Sequence, residues 1–175
     1  MKDSTKLILG SLFFVLIGAG ALLAPQYREW SSARTLAELE TLPLKSGVAR
    51  SGSEITGGRE TWSLGSYGIT DLGNLRLAFE DLPFSGSSSS GALVLATDST
   101  HVGGGGSTGE GNRTFDHESI PGGTRVHFGG ATFEIVGGKL TLADKTVDVT
   151  GPPSLVIIGK DRRIREVRPL KPAAP

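Results

Sequence analysis

At 175 residues the chain has room for one domain of ordinary size and little room for a second. Its 18 Lys and Arg balance 18 Asp and Glu, so no net field favours nucleic acid, and the absence of cysteine excludes disulfides, thiolate metal sites and cysteine nucleophiles. The 26 glycines, interspersed with Ser, Thr and Asn through the middle of the chain, predict many turns and a mainly β domain.

A short N-terminal tail over 1–6 carries Lys2 and Lys6 against Asp3, and residues 7–24 (LILGSLFFVLIGAGALLA) hold no charge. At a helical rise of about 1.5 Å per residue this run is roughly 27 Å long, close to the hydrocarbon thickness of a bilayer. It predicts a single transmembrane helix with Leu7, Phe13, Phe14, Leu16, Ile17 and Leu23 among its anchoring side chains. Tyr27 and Trp30, just beyond Pro25, fall where a headgroup layer would be and extend that anchor. The competing reading is a cleaved secretory signal, because Ala19-Gly20-Ala21 has the small-residue spacing of a cleavage site; against it, the apolar run is longer than a typical signal core and continues past the would-be cut. Lys2 and Lys6 on one flank nearly match Arg28 and Arg34 on the other. A short tail followed at once by an apolar run nevertheless has the layout of a signal anchor, which sends the remainder of the chain to the periplasmic or extracytoplasmic side.

Residues 25–46 form a juxtamembrane linker. Within it Thr35-Leu36-Ala37-Glu38 has the pattern of a capping box, predicting a short helix from Leu36 to Thr41 that places Leu36, Leu39 and Leu42 on one face and stops at Pro43. The β domain is assigned to 47–168. Trp62 and Leu64 point to one strand. Leu75, Leu77 and Phe79 alternate with Arg76, Ala78 and Glu80, the period of a strand with one wet face. Ser85–Gly91 (SGSSSSG) has nothing to bury and reads as an exposed loop, and Ala92–Ala96 is apolar over a strand's length. Farther on, Gly129-Gly130 and Gly137-Gly138 punctuate three alternating stretches around Val126, Phe133 and Leu140, as a meander with two-residue hairpin turns requires. After a turn near Asp144-Lys145 come Val147 and Val149, then the continuous apolar run Leu155–Ile158, then Ile164 and Val167 on an arginine-rich edge. A Pro-rich tail, 169–175, ends the chain.

Seven or eight short strands predict a small antiparallel β-barrel of OB-like type, or a β-sandwich. A membrane span followed by a small β domain is similar in layout to the tethered haem chaperones of cytochrome c maturation. That family attaches haem through a histidine with a tyrosine downstream, and here no His or Tyr follows His127, so no haem site is carried over.

Candidate chemistry is sparse. Gly105-Gly106-Ser107-Thr108-Gly109 matches the G-x-S-x-G pattern of a nucleophile elbow, but it lies in GGGGSTGEG without the strand and helix that the elbow needs, so a hydrolase on Ser107 is a minor alternative. The same glycines lack the lysine of a phosphate loop, none occurring from Thr97 to Ala131. Asp98, His101, Asp116, His117 and Glu118 flank the glycine loop, which makes His101, Asp116 and His117 candidate metal ligands for a metal- or ligand-handling chaperone acting through residues 98–118. His127, between Val126 and Phe128, is expected to face solvent. Asn112-Arg113-Thr114 is a glycosylation sequon. Lys160–Lys171 holds six basic residues, and Arg162, Arg163, Arg165 and Arg168 are candidates for contact with a partner or with anionic lipid headgroups. The sequence therefore predicts no cofactor, no nucleic acid and no enzyme. It points to a single-pass, membrane-anchored accessory or assembly subunit of a larger membrane complex, in which Gly18, Ala19, Gly20 and Ala21 offer a small-residue face to other integral membrane subunits.

Overall fold

The computed structural model describes residues 26–27, 29–46, 48–51, 54–82, 89–95, 100–103 and 116–171. By its contacts the chain forms two units, Met1–Ala37 and Glu38–Pro175. The expected transmembrane segment, 7–24, lies outside the described residues. Among those described, no helix is long and apolar enough to cross a membrane.

One helix, α1, occupies 26–27 and 29–41. It starts well before the expected Leu36, so Thr35 lies inside it and does not cap it. The stretch from Gln26 to Thr41 contains neither Gly nor Pro and is rich in Ala, Glu, Arg and Leu, so intrinsic propensity carries the helix through the presumed start. It ends ahead of Pro43 as expected. In the first unit, the described residues are helical, with Tyr27 against Trp30 and Arg34 over the Trp30 ring.

The second unit is mainly β. Its strands are β1 (Val48–Ser51), β2 (Glu54–Leu64), β3 (Tyr67–Leu72), β4 (Leu75–Phe79), β5 (Ser89–Leu95), β6 (Thr100–Gly103), β7 (Asp116–Ile120), β8 (Gly123–Phe128), β9 (Ala131–Val136), β10 (Lys139–Leu142), β11 (Lys145–Asp148), β12 (Ser154–Ile158) and β13 (Ile164–Pro169). Among the described residues they make two sheets and no closed barrel, which corrects the OB-like alternative and keeps the mainly β expectation. An eight-stranded sheet runs β13-β12-β4-β3-β2-β5-β6 with β1 also on β2, and a five-stranded meander runs β11-β10-β9-β8-β7. Among the described residues the pairings are antiparallel except that of β12 with β4. Ser89, Ser90 and Gly91, expected in a loop, pair with Thr61, Glu60 and Arg59 instead. Backbone hydrogen bonds to a long neighbouring strand can hold a segment with little apolar content of its own.

Inward-facing residues of both sheets build one core. Leu75, Leu77, Phe79, Val156 and Ile158 come from the first, and Val126, Phe128, Phe133, Ile135 and Leu140 from the second. Phe79 meets Phe128 edge to face at 5.3 Å between ring centres, a geometry that aligns the rim of one ring with the face of the other. Asn74, in the turn between β3 and β4, donates through its amide to the Gly151 carbonyl at 2.8 Å and through its backbone N–H to that of Val149 at 3.0 Å, tying the hairpin to the chain that leaves β11.

The apolar run Leu155–Ile158 is buried throughout, as its composition predicts. The opposite holds for β4. Its alternation implies a wet face, yet every residue of the strand is buried, Arg76 included. Residues 38–46 cover the face that bears Arg76.

The glycine pairs sit where the meander turns. Gly129, Gly130, Gly137 and Gly138 all have positive φ, which a two-residue turn of the hairpin-compatible hand demands at both positions. Their surroundings differ. A Cβ on Gly129 would lie 2.6 Å from Leu82 Cδ2 and 3.0 Å from Phe79 Cδ1, whereas one on Gly137 meets nothing within 4 Å. Gly137→Ala is expected to cost about 1 kcal/mol from backbone strain alone, and Gly129→Ala to add about 1–3 kcal/mol of overpacking to that. Urea denaturation of the two variants measures the gap, and equal costs would show that the turn, not its packing, sets the requirement.

Candidate functional site

A densely hydrogen-bonded, buried cluster lies where the chain enters the β unit. The β3–β4 hairpin turns at Gly73-Asn74, which sets Asp71 directly opposite Arg76 on one face. Both side chains are fully buried. Arg76 Nε donates to Asp71 Oδ1 and Nη2 to Oδ2, each at 2.8 Å, a bidentate fork. The remaining N–H groups of the guanidinium go to main-chain carbonyls: Nη1 to Leu39 and Leu42, Nη2 to Pro43, all at 2.8 Å. All five donors of a guanidinium are thereby used.

Leu39 and Leu42 lie in and just after the last turn of α1, where carbonyls lack helical partners and the helix dipole is negative. Arg76 therefore acts as a cap delivered from a strand. Lys45 N–H donates to Asp71 Oδ2 at 2.8 Å and Ser46 Oγ to the Gly73 carbonyl at 3.0 Å, extending the attachment along 38–46. Burial pushes the Asp71 carboxyl above its ordinary value, while the hydrogen bonds and charge of Arg76, then the Lys45 amide, pull it back. With three N–H groups aimed at it, the carboxyl is placed as an acceptor only, as a carboxylate is. Trp62 lies against the cluster, with Arg76 Cζ 5.2 Å and Lys45 Nζ 4.3 Å from its ring centre, both within cation–π range.

The C-terminal strand reinforces the same point. Arg168 Nη1 donates to Glu40 Oε1 at 2.7 Å, Lys171 Nζ lies 2.9 Å from Glu40 Oε2, and Lys171 N–H donates to the Glu40 carbonyl at 2.8 Å. Arg168 also grips Glu166 with Nε and Nη2. Hydrogen bonds from Arg168 and then Lys171 hold the Glu40 carboxyl below its ordinary value, and Glu166 and Glu40 in turn keep the Arg168 guanidinium firmly protonated.

The basic stripe is thus largely engaged within the molecule. Arg165 pairs with Glu80, Lys160 with Asp81, and Arg162 donates to the Glu80 carbonyl. Among the described residues, Arg163 takes no ion-pair partner. These acidic partners are far away in sequence, which is why the run reads as a free basic patch when taken alone.

Asp116, His117 and Glu118 lie on β7 and are exposed. Consecutive strand residues face opposite ways, so Asp116 and Glu118 share a face with Arg125 and His127 of β8 while His117 points away. On that outer face Arg125 bridges Glu118 and Glu134, and His127 bonds Thr132 at 2.9 Å. Those two carboxylates, Glu134 first, raise the Arg125 guanidinium. His127 is solvent-facing, as expected. His101 lies on β6. Asp98, Ser107 and the sequon lie outside the described residues, as do the anchor residues Leu7, Phe13, Phe14, Leu16, Ile17 and Leu23. Among the described residues no three His, Asp or Glu side chains converge as a metal-ligand set.

No protein-family model, curated protein or solved structure matches the chain.

The Glu40 contacts carry a pH signature. A carboxyl whose value is lowered on folding contributes stability that is present above its unfolded value, near 4.5, and is lost as pH falls through the lower folded value. Glu40→Gln is therefore expected to be less stable than the parent at neutral pH and to converge with it in acid. Denaturation midpoints followed downward from about pH 6 test this, and a constant difference at all pH values would contradict it.

Proposed function

We propose that the chain is a non-enzymatic, single-pass membrane-anchored β module that serves as an accessory or assembly subunit of a larger membrane protein complex, with its β domain on the extracytoplasmic side. The observation that carries this reading is the placement of the clamp. A tethered module is loaded where the tether joins the domain, and that junction, residues 38–46, holds the fully buried Asp71–Arg76 pair. The uncharged run 7–24, just upstream, has the length and composition of the tether itself.

Contact is the activity that suits such a module. The small residues Gly18, Ala19, Gly20 and Ala21 allow close approach of a neighbouring span. The outer face of the second sheet, with Glu118, Arg125, His127 and Glu134, presents a firm polar surface for docking. Arg163 is the member of the basic stripe best placed to meet an acidic partner or an anionic headgroup.

Extraction of native membranes in mild detergent, followed by affinity purification through a C-terminal tag, tests the proposal. Stoichiometric recovery of integral membrane proteins with the chain is the expected result; recovery of the chain alone would overturn the subunit role.

A further inference from the structure

We infer that the start of α1 is a phospholipid-binding stripe, in which Tyr27 and Trp30 seat in the interfacial layer of the bilayer and Arg34 takes the phosphate of a lipid headgroup. The inference rests on the membrane-anchor reading above and adds to it a ligand and the residue that holds it.

Tyr27, Trp30 and Arg34 are spaced three and four residues apart, so they form one stripe along the helix. The contacts agree. The Tyr27 and Trp30 ring centres are 6.3 Å apart, and Arg34 Cζ is 5.8 Å from the Trp30 ring centre. Both rings are well exposed, at 69% and 60%. Side-by-side exposed aromatics form an apolar patch with polar tips, the chemistry that the boundary between headgroups and acyl chains accommodates best.

Covalent connection fixes where the stripe can be. Three Cα steps of 3.80 Å keep Tyr27 within about 11 Å of Ala24, the last residue of the uncharged run. A helical side chain leans toward the N-terminus, so the Arg34 guanidinium reaches back to the level of Trp30, as the observed contact shows. A cation on a long stem is thereby directed toward the membrane end of the helix, where its planar donors match the oxygens of a phosphate.

The test uses the 175-residue chain reconstituted into vesicles of phosphatidylcholine mixed with phosphatidylglycerol. Quenching of Trp30 by lipids labelled near the carbonyls is compared with quenching by lipids labelled at the chain ends, the Trp30 signal being the difference from Trp30→Phe. Stronger quenching by the shallow label is expected. Arg34→Gln should lower the seated population about fivefold, the weight of one basic residue at a charged lipid surface, and Arg34→Lys should restore most of it. Flotation of the chain with vesicles, but with no shallow quenching of Trp30 or with no effect of Arg34→Gln, would overturn the stripe and leave the anchor standing. Failure to float with vesicles would overturn the anchor, and the stripe with it.

Discussion

The entrance to the β unit is organised around one buried ion pair, Arg76 with Asp71. An arginine with no exposure is among the costliest groups a small domain can bury, and the cost is least when every donor is answered. Arg76 meets that condition with Asp71 on its own hairpin and three carbonyls around the end of α1. The requirement acts in both directions. The guanidinium needs the carbonyls of Leu39, Leu42 and Pro43, and those carbonyls, at a helix end turned toward a sheet, need donors. Residues 38–46 therefore belong to the β unit by necessity of hydrogen bonding, beyond any contribution from their apolar side chains.

Other features gather round this point. The β3–β4 hairpin supplies both members of the ion pair, β12 lies alongside β4 in parallel, and β13 brings Arg168 to Glu40. Leu39, whose carbonyl accepts from the guanidinium, is itself fully buried. The other face of β4 gives Leu75, Leu77 and Phe79 to the core shared with the meander. One five-residue strand thus joins an apolar core on one side to a polar clamp on the other, which accounts for the burial of both faces.

Local chemistry was legible in the sequence wherever it decides the structure. Gly129-Gly130 and Gly137-Gly138 reveal the meander because few residues but glycine adopt two successive positive φ values, and Leu155–Ile158 reveals a strand covered on both sides. Arg76 was misread because an arginine at alternate positions signals solvent unless its partners are known. Three of those partners are backbone carbonyls, which no residue type announces. The one available signal was the spacing Asp71-Leu72-Gly73-Asn74-Leu75-Arg76, since a turn at Gly73-Asn74 sets opposite charges face to face. The internal pairs of the basic run after Lys160 were hidden for a related reason, Glu40, Glu80 and Asp81 being remote in sequence. The parallel pairing of β4 with β12, across about half the chain, left no local trace at all.

A double-mutant cycle on folding stability with Arg76→Met, Asp71→Asn and the pair combined measures how far the Asp71–Arg76 clamp holds the entrance of the β unit together. Removing Arg76 alone leaves a buried carboxylate with the Lys45 N–H in place of a bidentate partner, takes the guanidinium donors from three carbonyls, and is predicted to cost about 3–5 kcal/mol. The combined variant should cost less than the sum of the two singles by about 1–3 kcal/mol, as expected of residues that share one network. A loss of under about 1 kcal/mol for Arg76→Met, or strict additivity of the two changes, would contradict the account.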